Sequence, residues 1–348
     1  MTEVYFAIPG SIEQETGGYG YDRRLISELP SFGVNVKHIE LPAGFPNPSP
    51  EECEAVAKRA AALPGESTLL IDGLAYGAFP KQLAEGIAQR IIALVHHPLA
   101  LEAGLSEKRK NELVASERDA LSLADHVIAT SPSTKRILIA DYGVPEPHVT
   151  VAEPGTDPAQ RATGTGTPMQ LLCVGTITPR KGYDVLVEAL EPLRDLDWRL
   201  TIAGPDDRDS ETTAALRAQI TAAGLHDRIT LSGVVVPATL DRFYESADVF
   251  IMPSLYEGYG MALGEAMARG LPIICTTGGA AAETVPEGAA IKVAPGSSEF
   301  LTRALQNLLS DRKQRIRLAD AAWEAGRKLP TWSETARRVA AVVMGLKA

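Results

Sequence analysis

The chain has 348 residues, 45% of them apolar, and a formal charge of −10. That leaves room for about two domains of roughly 100–200 residues, and the acidic balance disfavours nucleic acid, whose phosphates want basic surface. No run approaches the ~20 apolar residues of a membrane span, and the opening MTEVYFAIPG lacks the basic lead and apolar core expected of a signal peptide.

The charge is uneven. Residues 1–162 carry 14 Lys and Arg against 22 Asp and Glu, and the remainder carries 20 against 22. Cys53, Cys173 and Cys275 lie far apart with no CxxC pair. This argues for a reducing, cytoplasmic setting and against a disulfide framework or a zinc site.

In the first half, apolar runs at Val4–Ile8, Val34–Ile39, Thr68–Ile71, Arg90–Val95, His126–Thr130 and Val149–Ala152 alternate with helix-like stretches such as 20–29, 50–63 and 107–123. Such alternation predicts βαβ units and a parallel sheet. After the first run comes Thr16-Gly17-Gly18-Tyr19-Gly20. This Gly-rich loop suits either a phosphate approach or a plain turn, and no G-x-G-x-x-G register follows the strand closely. His96-His97 ends the fourth run. No further His or Cys supports a metal there. Ser131 and Ser133 open the next helix, where N-capping is the better reading. Lys58-Arg59 and Lys108-Arg109-Lys110 lie on helices and could make a basic patch toward an anionic membrane, against the acidic average of this half.

Ala162–Pro168 (ATGTGTP) has linker composition. Beyond it, apolar runs at Gln170–Val174, Arg199–Ala203, Ile229–Leu231, Val249–Met252, Pro272–Cys275 and Ala290–Val293 alternate with helices near 182–190, 211–223, 237–245 and 260–269. A dozen strands in one open sheet is improbable. The expectation is therefore two doubly wound α/β domains, 1–162 and 163–330, with an amphipathic closing segment 331–348 that packs back on the first. In such folds ligands sit beyond the carboxyl ends of the strands, here in a cleft where the two domains face each other.

Val174-Gly175-Thr176-Ile177-Thr178-Pro179-Arg180-Lys181-Gly182 follows the first strand of the second half. Two adjacent cations in a Gly-bounded loop suit a diphosphate, Arg as a fork and Lys as a mobile point charge. Gly204, Pro205 and Gly233 are strand-end turns that could border a base. Asp207-Arg208-Asp209 is a DxD triad of the kind that can hold a divalent metal, but it stands where acids stabilise a helix start. Glu257 and Glu265 then lie eight residues apart in ADVFIMPSLYEGYGMALGEAMARGLPIICT. On one helix they would diverge by about 80°, so the spacing places Glu257 in a loop and Glu265 in the first turn of a helix opening near Gly260. Gly258 and Gly260 admit a close ligand, and carboxylates suit sugar diols. Gly278, Gly279 and Glu283 are lesser candidates for the same region.

This last stretch resembles the nucleotide-sugar motif of retaining family 4 glycosyltransferases, with their Glu-x7-Glu pattern and GT-B fold. The resemblance covers nearly the whole chain and is strongest over 170–285. It implies two Rossmann-like domains and a metal-independent transfer of a hexose-type sugar from a UDP-, GDP- or ADP-sugar to an acceptor hydroxyl on a small molecule, glycan or lipid. By that likeness Arg180 and Lys181, with Gly175, take the diphosphate. Glu257 meets the sugar hydroxyls, the amides of Gly258, Tyr259, Gly260 and Met261 face sugar and phosphate, and Glu265 takes the ribose. Gly17 and Gly18 lie over the donor phosphates, and His96, with His97 as the alternative, meets the donor sugar. His96, Arg180, Lys181 and Glu257 are then the catalytic set, with no metal and no permanent cofactor. The expected setting is the cytoplasm, with peripheral contact at the inner membrane face left open. Other readings are an epimerase or phosphorylase of the same fold, the latter needing a cofactor-bearing Lys not evident here, or a non-catalytic nucleotide-sugar binding module.

Overall fold

A computed structural model of the chain describes residues 2–345. The chain divides into two compact units. One holds the start of the chain to Gln14, Gly18–Gly155 and the segment from Pro330 onward; the other holds Glu15–Gly17 and Thr156–Leu329. The crossings thus fall at 155 and 330, against the 162 and 331 read from composition.

The first unit runs β1 (Thr2–Pro9), α1 (Gly17–Glu28), β2 (Val34–Leu41), α2 (Pro50–Ala61), β3 (Thr68–Asp72), α3 (Gly73–Tyr76), α4 (Lys81–Glu85), β4 (Arg90–Val95), α5 (Glu107–Leu121), β5 (His126–Ala129), α6 (Pro132–Ala140) and β6 (Val149–Val151). The second runs β7 (Met169–Val174), α7 (Tyr183–Leu190), β8 (Trp198–Ala203), α8 (Ser210–Ala222), β9 (Ile229–Gly233), α9 (Pro237–Ser246), β10 (Val249–Met252), α10 (Met261–Ala268), β11 (Ile273–Thr276), α11 (Ala281–Thr284), β12 (Ala290–Val293), α12 (Ser298–Ser310) and α13 (Arg312–Gly326). α14 (Trp332–Val343) closes the chain on the first unit. There Trp332 meets the Tyr21 ring edge-on, and Arg90 donates to the carbonyls of Val342 and Val343 at 3.0 and 2.8 Å. Of the amphipathic segment expected at the C-terminus, Leu346 and beyond lie outside the described residues.

Both sheets are parallel and six-stranded, ordered β2-β1-β3-β4-β5-β6 and β12-β11-β10-β7-β8-β9. Strands such as β4 (RIIALV) and β10 (VFIM) are near-continuous apolar runs because helices cover both sheet faces. The first core gathers Ile71, Tyr76, Phe79, Val95, Val127 and Leu138, and the second Leu186, Leu190, Trp198, Ile251 and Leu305.

The strand orders decide where a ligand can go. In the second sheet the order reverses between β7 and β10, and in the first between β1 and β3. Neighbouring loops leave on opposite faces at such a switch point and open a crevice at the strand ends. The loops after β7 and β10 carry Arg180-Lys181 and Glu257; in the first unit Gly18 lies in the first turn of the helix after β1, and Asp72 ends β3.

Two helix starts differ from the sequence reading, while the capping readings at Asp209 and Ser131 hold. α1 begins at Gly17, not near residue 20, so Gly17 and Gly18 form its first turn. α10 begins at Met261 with Gly260 as its N-cap, which puts Glu265 fifth in the helix, in its second turn rather than its first. The DxD triad is a helix start: the Asp209 carboxylate accepts from Thr212 N–H at 2.9 Å and caps α8. Ser131 caps α6 by accepting from Thr134 N–H. The short α3 and α4, and the paired α12 and α13, escaped the periodicity reading.

Candidate active site

In the second unit the site is assembled from three loops. Lys181 donates from Nζ to Glu257 Oε1 at 2.7 Å, and Arg180 Nη1 stands 3.5 Å from Glu257 Oε2. Arg180 Nη1 also donates to the Tyr256 carbonyl at 2.8 Å, while Leu255 N–H donates back to the Arg180 carbonyl at 2.7 Å. The post-β7 and post-β10 loops are therefore tied through backbone and side chain alike. Glu257 is buried, and burial alone would raise its pKa. Lys181 and Arg180 outweigh that and hold it at about 2.

Two glycines make this packing possible. Gly182 has φ +64°, and a Cβ there would stand 2.4 Å from the Pro253 carbonyl oxygen. Gly279 has φ +63°, and its Cβ would stand 2.4 Å from the Glu257 carbonyl oxygen. The post-β11 turn thereby closes on the Glu257 loop, with Ala280 N–H donating to the Glu257 carbonyl at 2.8 Å and Glu257 N–H to the Gly278 carbonyl at 3.2 Å. So Gly278 and Gly279 shape the loop that presents Glu257.

Glu265 makes its contact elsewhere on α10. The buried Tyr244 hydroxyl donates to its Oε2 at 2.6 Å, and the Arg269 guanidinium lies 4.4 Å over the Tyr244 ring. Sequence reasoning missed Tyr244, because an aromatic on the buried face of α9 carries no signal apart from core packing.

In the first unit His96 sits just beyond β4. Its Nε2 lies 3.4 Å from Asp22 Oδ1 on α1 and 3.4 Å from Asp72 Oδ2 at the end of β3. The Tyr21 ring meets it edge-on at 5.3 Å, and a Cβ at Gly18 would lie 3.4 Å from its Cδ2. The Thr130 hydroxyl donates to the His96 carbonyl at 3.0 Å. Burial works to lower the His96 pKa, but Asp22 and Asp72 overcome it and leave it raised, to about 10. His97 engages Glu102 instead, at 3.3 Å.

Among the described residues this is the one place where three side chains of ligand type converge. The sequence reading named His96 and missed both acids. A signal existed: Asp72 ends an apolar strand directly before Gly73. Asp22 interrupts the helical stripe of Gly18, Leu25 and Leu29.

Four of the five basic side chains considered for a membrane face stand beside an acid, two of them sharing one. Lys58 pairs with Glu54 at 3.2 Å, Lys110 with Glu107 at 2.9 Å, and Lys108 and Arg109 with Glu112 at 3.9 and 3.3 Å. Arg109 also donates to the Pro46 carbonyl and Asn47 Oδ1. No helix among the described residues is long and apolar enough to cross a membrane.

Comparison with known sequences is decisive for the family. The profile described as Glycosyl transferases group 1 matches residues 158–325, and that described as Glycosyltransferase Family 4 matches residues 76–160. The chain belongs to the family 4 glycosyltransferases. A mannosylfructose-phosphate synthase of Agrobacterium fabrum is 30% identical over 264 residues, 70% of this chain and 57% of that protein. A D-inositol 3-phosphate glycosyltransferase of Arthrobacter is 33% identical over 181 residues, 47% of this chain and 42% of that protein. The chain thus spans about half the length of the curated relatives it matches. The structure of a sucrose-phosphate synthase from Thermosynechococcus elongatus superposes with a TM-score of 0.82 over 99% of both chains at 22% identity. Anabaena HepE in complex with UDP-glucose superposes at 0.77, over 99% of this chain and all of the other, at 17% identity. The family 4 glycosyltransferase fold, two Rossmann-like units of GT-B type, is that of this chain.

Proposed function

We propose that this family 4 glycosyltransferase is a retaining enzyme that moves a hexose-type sugar from a nucleotide diphosphate sugar to an acceptor hydroxyl without a metal ion. The observation that carries this is the Arg180–Lys181–Glu257 constellation at the switch point of the second sheet. As the bond between anomeric carbon and diphosphate oxygen breaks, negative charge grows on the departing group. Two fixed cations beside one carboxylate stabilise that charge more in the transition state than in the ground state. The helix start at Gly258–Met261 adds backbone amides and the favourable end of the α10 dipole. The acceptor oxygen bonds to the anomeric carbon from the leaving-group side, and its proton passes to the departing phosphate oxygen, so configuration is retained.

In this reading the second unit binds the donor and the first presents the acceptor. A UDP-sugar is favoured by the likeness to HepE in complex with UDP-glucose. A small carbohydrate or glycan acceptor is favoured over a lipid, because most of the candidate basic side chains are already engaged by acids and the relatives are named for sugar phosphates. A thermal-shift series with UDP-, GDP- and ADP-sugars, followed by transfer assays with the stabilising donor, tests it. Donor binding raises the apparent Tm. No shift with any donor would refute the reading.

A further inference from the structure

The first unit holds a buried acid that the transfer chemistry does not use. Asp22 is wholly buried on α1, and among the described residues neither of its oxygens has a hydrogen-bond partner. Its one close polar neighbour of opposite tendency is His96, whose Nε2 it shares with Asp72 at equal separations of 3.4 Å. The other Asp72 oxygen, Oδ1, accepts from Leu74 N–H at 2.6 Å and caps α3, so Asp72 is held from behind. A proton is needed between that ring nitrogen and the two carboxylates. Burial and Asp72 push the Asp22 carboxyl up to about 7, but against burial the two acids push the ring further up, to about 10, so the ring is the stronger holder of the proton. Buried carboxylates so close are tolerated when a cation stands between them. The titratable groups facing His96 are Asp22 and Tyr21 from α1 and Asp72 from β3. Burial and the neighbouring acid push the Tyr21 hydroxyl well up, so it stays neutral.

Resting on the transfer reading above, we propose that Asp22 is a positioning residue: with Asp72 it fixes the His96 ring in one orientation and in its protonated form, so that His96 presents a hydrogen-bond-donating cation, and not a base, at the strand ends of its own unit. In the doubly protonated ring Nε2–H faces the two acids at 3.4 Å as a charge contact without hydrogen-bond geometry, and Nδ1–H is left to donate to a ligand oxygen. That matches a front-face transfer, in which the acceptor proton leaves with the phosphate and no protein base is required.

Ring-nitrogen NMR of the full ¹⁵N-labelled chain tests this independently of turnover. The chain has six histidines, and a His96→Asn variant assigns the signal. In the wild type both His96 nitrogens should stay protonated from about pH 6 to about pH 9, a range that brackets ordinary histidine titration. In Asp22→Asn the midpoint should fall by about one unit or more, with kcat/KM dropping about tenfold above the new midpoint and the donor KM little changed. Asp72→Asn, which keeps a capping oxygen, should act in the same direction and serves if Asp22→Asn fails to fold. A neutral His96 at pH 7 in the wild type, or a midpoint unmoved by both variants, overturns the proposal. So does a stoichiometric divalent metal in the purified protein that is lost in Asp22→Asn. A charged ring with no turnover from any nucleotide sugar supports the clamp and sinks the transfer reading instead.

Discussion

The two units carry trios of opposite composition at the same place in their folds. At the β7/β10 switch point two cations flank one carboxylate, Arg180 and Lys181 about Glu257. Around the β1/β3 switch point two carboxylates flank one imidazole, Asp22 and Asp72 about His96. The scaffold supplies a strand-end crevice in each case, and the sign of the surplus charge decides what that crevice can do. A surplus of cations suits a departing diphosphate. A surplus of acid, on the proposal above, holds a single imidazolium in place.

The sharpest way to break this contrast is to discharge the second trio. Lys181→Ala and Glu257→Gln should each lower kcat by about 10²–10³-fold or more, as loss of a transition-state donor does. Circular dichroism should show the fold intact. Gln is preferred to Ala at 257 because it removes the charge but keeps the side-chain volume and an oxygen that can still accept from Lys181. Normal turnover in either variant would remove the trio from the chemistry.

The trio also depends on how its loop is held. Gly279→Ala places a side chain where φ is positive and the Glu257 carbonyl is 2.4 Å away. It should cost at least about 1–2 kcal/mol in urea unfolding and depress transfer as well. A silent substitution would mean that the turn does not shape the Glu257 loop.

Tyr244→Phe removes only the hydroxyl that steadies Glu265. If Glu265 takes the donor ribose, the donor KM should rise about tenfold, in keeping with about 1.5 kcal/mol for a hydrogen bond to a charged group, and kcat should change little. A fall in kcat alone would place Glu265 in the chemical step instead.

The smallest effect concerns the acidic first unit. Glu117 on α5 is buried with Leu99 N–H donating to it at 3.0 Å, and burial pushes its carboxyl up to about 8 from the usual 4.5. Folding therefore favours its protonated form. This contribution to stability is full below about pH 4.5 and is lost as pH rises through about 8. Glu117→Gln keeps an acceptor for Leu99 and should flatten the decline of Tm with pH over that window. An unchanged slope would assign the decline to other groups, His96 among them.

Much of the fold was legible in the residues, for local reasons. Runs such as RIIALV and VFIM announce buried parallel strands, and Ser131 and Asp209 announce helix starts by their position before an amphipathic stretch. Short helices such as Gly73–Tyr76 complete too few turns to show a period. The boundary at 155 lies where no composition change marks it. In the site, Arg180, Lys181 and Glu257 were legible because glycines flank them after apolar runs. Asp22 and Asp72 were not, since each has a bland reading where it stands, one as a helix acid and the other as a cap.

Alone, the sequence determined the alternation of strands and helices, the loops in which cations and carboxylates had to fall, and the family to which they point. Only the tertiary structure decided that Lys181 reaches Glu257, that Tyr244 steadies Glu265, and that acids 50 residues apart in the chain close on one histidine. Periodicity and capping are properties of neighbouring residues. Contacts between loops follow from strand order and register, which are set by the packing of whole layers.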